Sequence, residues 1–113
     1  MSSWKIIKDS DDVKKAVNAS ESNPVIIFKH STSCPISSIA KLRLEDKWSE
    51  LSQADWYYLD LIKYRSVSNQ IAADLNVHHE SPQAIVLHKG EVIYDVSHMD
   101  ISVADISSAI PAS

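Results

Sequence analysis

Apolar residues along this chain gather into short runs separated by polar breaks, and the spacing inside the runs alternates between strand-like and helical. Trp4 to Ile7 reads as a short strand. Asp9-Ser10-Asp11-Asp12 then sets a cap residue and acids ahead of Val13, Ala16 and Val17, which is how an amphipathic helix begins. Asn23-Pro24 breaks that helix, and Val25 to Phe28 is a continuous apolar run, as expected of a central strand buried on both faces. Beyond Cys34, the residues Ile36, Ala40, Leu44, Trp48 and Leu51 recur at four and three, which predicts one face of a long helix. Lys41, Arg43, Glu45, Asp46 and Lys47 fall largely on its other side.

Trp56 to Leu61 is aromatic-rich and strand-like, while Val67, Ile71, Ala72 and Leu75 return to helical spacing within Ser66 to Asn76. Ala84 to His88 and Glu91 to Val96 flank Lys89-Gly90, which predicts a hairpin. Val103, Ile106 and Ile110 mark a last helix, ended by Pro111. The order is therefore β-α-β-α-β-α-β-β-α. Alternation implies parallel strands with crossover helices, and the closing hairpin adds antiparallel strands to the same sheet. The expected fold is a three-layer α/β/α sandwich around a mixed central sheet. No repeat, linker or boundary divides residues 1–113, so a single domain is expected.

Composition narrows the function classes. The chain has 113 residues, 44% of them hydrophobic and 23% charged, which suits an ordinary globular domain with a real core. A formal charge of −4 argues against a general nucleic-acid binder. With Gly90 the only glycine, a P-loop and a dinucleotide-binding fingerprint are both excluded. There is no long apolar run for a membrane span and no apolar stretch of the secretory kind near Met1. With one cysteine, a cytoplasmic home is the expectation.

That cysteine, Cys34, lies in Ser33-Cys34-Pro35-Ile36-Ser37, where a strand gives way to a helix. Orphan N–H groups and the helix dipole at such a junction favour the thiolate over the thiol. Pro35 suits the first helical turn, where its missing N–H is harmless. Ser37 stands where a Cys-x-x-Cys motif has its second cysteine, one helical turn along, and reads equally as a hydroxyl that donates to the Cys34 thiolate or as a tolerated helix residue. A hydroxyl cannot resolve a mixed disulfide, so an outside thiol must. Ile36 reads equally as a partner contact or as core. The histidines His30, His78, His79, His88 and His98 show no zinc-like spacing; His30 and His98 read either as neighbours that help hold the Cys34 charge or, by default, as surface residues. No metal site is expected. Nothing identifies the oxyanion site or orienting partner that a Cys-His protease pair would need. Lys29, Lys63 and Arg65 read as solvated charges rather than as a cluster for an anionic ligand.

The order of elements, the Cys-Pro step after the second strand and Ser81-Pro82 just before a later strand together resemble the thioredoxin fold. More narrowly, His30-Ser31-Thr32-Ser33-Cys34-Pro35-Ile36-Ser37 resembles the signature of the monothiol bacilliredoxins of the YtxJ type, in which Thr-Cys-Pro-Ile-Ser replaces a two-cysteine motif. Ser33 stands where that family has Thr, which keeps a hydroxyl before the nucleophile. Ser97-His98 is similar to the family as well. The resemblance implies an oxidoreductase that removes bacillithiol, a low-molecular-weight thiol, from S-thiolated client proteins, with Cys34 as the catalytic residue. It also implies a cis Ser81-Pro82 bond facing Cys34, with Ser81 offering backbone groups to an extended substrate. Ser33, Pro35, Ile36, Ser37, Ser81 and Pro82 form the expected substrate-binding set. Bacillithiol would be a co-substrate rather than a bound cofactor, and a monomer is expected. Two other readings stay open: a non-catalytic redox sensor or adaptor, and a carrier of an iron–sulfur cluster shared between subunits.

Overall fold

The computed structural model describes residues 3–51 and 53–111. Its elements are β1 (Trp4–Ile6), α1 (Ser10–Ala19), β2 (Val25–His30), α2 (Pro35–Lys47), β3 (Asp55–Asp60), α3 (Arg65–Asp74), β4 (Gln83–His88), β5 (Glu91–Ser97) and α4 (Val103–Ala109). The order is the expected one, with two 3-10 turns that the spacing did not reveal, at Trp48–Leu51 and His98–Asp100. The first is the tightened end of the long helix, whose α-helical part stops at Lys47.

The five strands form one sheet in the order β1-β3-β2-β4-β5. The β1–β3 and β2–β3 pairs are parallel, and the β2–β4 and β4–β5 pairs are antiparallel. Alternation along the strands sorts side chains to two faces. Val25 and Ile27 of β2 pack with Val13 and Ala16 of α1 and with Val67 and Ile71 of α3. Ile26 and Phe28 pack with Ala40 and Leu44 of α2 and with Val103 and Ile106 of α4. The result is the expected three-layer sandwich.

Central position buries all six residues of β2, including Lys29 and His30. Its four apolar side chains contribute roughly 1.5–3 kcal/mol each on burial. That is enough to carry the two polar residues inside with the strand, provided their polar atoms find partners. Lys29 continues the α1/α3 face and His30 the α2/α4 face.

Local chemistry sets the element ends. The Asp9 carboxylate accepts the Asp12 N–H at 2.9 Å and caps α1, and Ser102 caps α4 through the Asp105 N–H. The β4–β5 turn runs through Lys89 and Gly90, both at positive φ. It is docked on the end of α1 by the Lys89 N–H to the Ser20 carbonyl and the Gly90 N–H to the Ser20 hydroxyl. A Cβ at Gly90 would lie 2.9 Å from a Glu21 carboxylate oxygen, at a φ of +80° that strains any L side chain. Gly90→Ala is expected to lower stability by about 1–2 kcal/mol, read as a lower denaturant midpoint at unchanged slope.

Candidate functional site

Three segments leave the sheet at one end: residues 31–34 after β2, residues 61–64 after β3, and residues 78–82 before β4. The register shows this directly, since His30 pairs with Asp60 and Lys29 with Gln83. Crevices at strand ends of this kind are where α/β folds carry their chemistry.

Cys34 sits on the first of these segments as the N-cap residue of α2, with extended backbone and Pro35 as the first helical residue. No side chain caps this helix, so the N-terminal N–H groups beside the sulfur are left without a side-chain acceptor. The Cys34 N–H donates to the Ser31 carbonyl at 3.1 Å, and the Cys34 carbonyl accepts from the Ser38 N–H at 3.2 Å, which closes a tight turn. Thr32, Ser33 and Pro35 are exposed, Cys34 is half-buried and Ser31 is buried. Among the described residues this thiol is free.

Ser37 follows neither of the two sequence readings, because its hydroxyl is engaged by the core side of the turn. Its side chain is 0% exposed, and its Oγ lies 2.7 Å from His30 Nδ1 while accepting the Ser31 N–H at 2.9 Å. Ser37, Ala40 and Leu44 make the buried face of α2, so the turn of the helix that carries Ser37 inward swings Ile36 out. Ile36 is accordingly 42% exposed and does not belong to the core. Ile62, on the loop after β3, is exposed as well.

His30 is also not the surface histidine expected. Its ring lies between Phe28 and Tyr58, with centroids 5.6 and 5.5 Å away. Burial, followed by the nearby Lys41 ammonium, holds the imidazole below its ordinary range, against the opposing pull of Asp60 and Glu45. Because the Ser37 oxygen already accepts the Ser31 N–H, a neutral His30 ring with Nδ1 free to accept would take the Ser37 hydroxyl proton.

Lys29 departs from expectation in the same way. It is fully buried, and its Nζ donates to the Ser68 carbonyl at 3.1 Å and to His79 Nδ1 at 3.3 Å. Burial lowers the amine to about 8. His79 is held below its ordinary range by burial first, then by the Lys29 and Arg65 charges. Sequence spacing missed this cluster because Lys29, Ser68 and His79 come from three separate elements. The available signal was a lysine continuing the apolar run of a central strand.

The Ser81-Pro82 peptide bond is cis. Pro82 is buried, and its carbonyl accepts the His98 N–H at 3.0 Å. Among the described residues no backbone hydrogen bond engages Ser81. Glu80 lies between two imidazoles, 3.3 Å from His98 Nε2 and 3.8 Å from His78 Nε2. Among the described residues no group of three or more His, Cys, Asp or Glu side chains is arranged so that it could hold a metal ion, and no helix is long and apolar enough to cross a membrane.

Residues 5–106 match the family model described as Monothiol bacilliredoxin BrxC. The chain is 33% identical to a solved thioredoxin-fold protein described as a candidate oxidoreductase, over 92% of this chain and 90% of that one, with a TM-score of 0.82. Thioredoxin O2 from Arabidopsis thaliana superposes with a TM-score of 0.74 at 17% identity, covering 95% of this chain and 90% of its own. Thioredoxin from Trypanosoma brucei brucei gives 0.75 at 12% identity, covering 95% and 87%. At those identities the two thioredoxins speak for the fold alone, and the fold they share with this chain is the thioredoxin fold.

Ser37→Ala leaves His30 Nδ1 and the Ser31 N–H without their partner, and should cost about 1–3 kcal/mol in denaturant titration. The buried titratable groups set a pH profile. Folded His30 and His79 hold a proton less readily than the unfolded chain, so their contribution is present above the ordinary imidazole range and drains as pH falls through their lowered values. Lys29 titrates at about 8 folded against 10.5 unfolded, so stability rises as pH climbs through that window. Unfolding free energies at about pH 5, 7.5 and 9.5 are expected to increase in that order, and Lys29→Met should abolish the second rise.

Proposed function

The chain belongs to the monothiol bacilliredoxin family, and from that premise we propose that it removes bacillithiol from S-bacillithiolated proteins through Cys34. The observation that carries this reading is a single cysteine at the N-cap of α2, with a buried serine where a resolving cysteine would stand.

The reaction balances in two displacements. The Cys34 thiolate attacks the bacillithiol sulfur of a protein–S–S–bacillithiol bond, forming a Cys34–bacillithiol disulfide as the client sulfur leaves with the electron pair and takes a proton from solvent. A second bacillithiol, as thiolate, then attacks the adduct sulfur of bacillithiol. Cys34 leaves as thiolate, and oxidised bacillithiol disulfide is released. Overall one disulfide is exchanged for another: the client sulfur drops from the disulfide to the thiol level, the incoming bacillithiol sulfur rises to it, and the bacillithiol sulfur carried on Cys34 keeps its oxidation state. Ser37 holds its hydroxyl against His30 and takes no part in either displacement.

Cys34 is half-exposed, and the exchange requires that its sulfur be open to in-line approach. Exposed Ile36 offers an apolar contact beside it, with Ser33 and Pro35 completing the rim. The unengaged Ser81 backbone before Pro82 is the ledge for the client's extended segment. A reducing interior, such as the cytoplasm, is the setting this chemistry calls for.

The test is adduct transfer followed by intact mass. Incubated with a bacillithiolated protein, the wild type should gain the mass of one bacillithiol as the client loses it, and Cys34→Ser should gain none. A client that stays modified while the wild type takes up no adduct would sink the proposal.

A further inference from the structure

Two buried polar side chains take no part in the exchange just described, and they sit side by side. Lys29 of β2 pairs directly with Gln83 of β4 across the antiparallel ladder, so their side chains share the α1/α3 face of the sheet. Both are 0% exposed. Lys29 Nζ donates to the Ser68 carbonyl on α3 and to the ring of His79. Gln83 Nε2 donates to the His78 carbonyl at 2.9 Å, while its Oε1 is buried without a partner among the described residues.

An ammonium and an amide in a core are costly unless hydrogen-bonded, whereas Met or Leu would fill the same face without that cost. What the polar pair does that an apolar pair cannot is grip a loop. Residues 77–80 have no regular secondary structure. Consecutive residues of that stretch are held from below, His78 by its carbonyl and His79 by its ring. The next residues are Glu80, Ser81 and Pro82.

We infer that Lys29, with Gln83 beside it, is a positioning residue that acts through His79 to set the Ser81–Pro82 ledge where a protein-borne mixed disulfide must lie against Cys34. The inference rests on the exchange reaction proposed above and assigns the ledge to its first step, in which a chain segment has to be seated. A small reagent needs only access to the sulfur.

Two rates in parallel test it: adduct transfer from a bacillithiolated protein, and alkylation of Cys34 by iodoacetamide. The variants are Lys29→Met, His79→Leu and His79→Asn, the last keeping an acceptor close to the position of Nδ1. Lys29→Met and His79→Leu should slow transfer by about tenfold or more, as small misplacements of reacting groups do. His79→Asn should recover most of the rate, and alkylation should stay at the wild-type value throughout. Should Lys29→Met fail to fold, the His79 pair, on a half-buried loop side chain, decides alone. The proposal is overturned if the first two variants transfer at the wild-type rate, if His79→Asn is as slow as His79→Leu, or if alkylation falls in step with transfer. An inert wild type would instead overturn the exchange reaction itself, and the positioning role with it.

Discussion

A single buried hydroxyl ties the reactive end of this protein to its core. Ser37 Oγ accepts the Ser31 N–H and lies against the His30 ring, so the first turn of α2, the turn before it and the central strand are joined at one atom. Cys34 lies between the points so joined. Its backbone is closed by Ser31 on one side and Ser38 on the other, which leaves the sulfur little freedom beyond its own side-chain torsion. The position that would carry a second thiol in a dithiol protein is thus spent on architecture.

The same strand that supplies His30 supplies Lys29, and the two point to opposite faces of the sheet. Each is buried because β2 is central, and each is neutral or easily neutralised because burial disfavours charge. One steadies the cysteine turn and the other the loop before β4. The turn that carries Cys34 and the loop before β4 are therefore braced from consecutive residues of one strand. A central strand is a good place for such braces, since its own position is fixed by pairing on both edges. It also makes the site sensitive to acid, because burial disfavours the protonated form of the His30 ring.

Much of this is legible in the sequence. Strand and helix periods differ sharply along the chain, and Pro24, Gly90 and Pro111 punctuate them, so the element order and the layering followed directly. The Cys-Pro step located the thiol at a helix start. What could not be read was the rotation of α2. Spacing put Ile36 and Ala40 on one face, but the buried turn begins at Ser37, and a serine carries no hydrophobic signal. The burial of Lys29 and His30 is hidden in the sequence for the same reason. Polarity at the end of an apolar run resembles a strand emerging into solvent unless its partners, Ser37, Ser68 and His79, are known, and those come from α2, α3 and a loop.

Central to the proposed chemistry is a mixed disulfide that this chain cannot open by itself. The most direct measurement prepares the Cys34–bacillithiol adduct, removes excess reagent, and follows its loss by intact mass as free bacillithiol is varied. The account predicts a rate proportional to the added thiol that extrapolates to zero without it. Loss of the adduct at a rate independent of added thiol would contradict it.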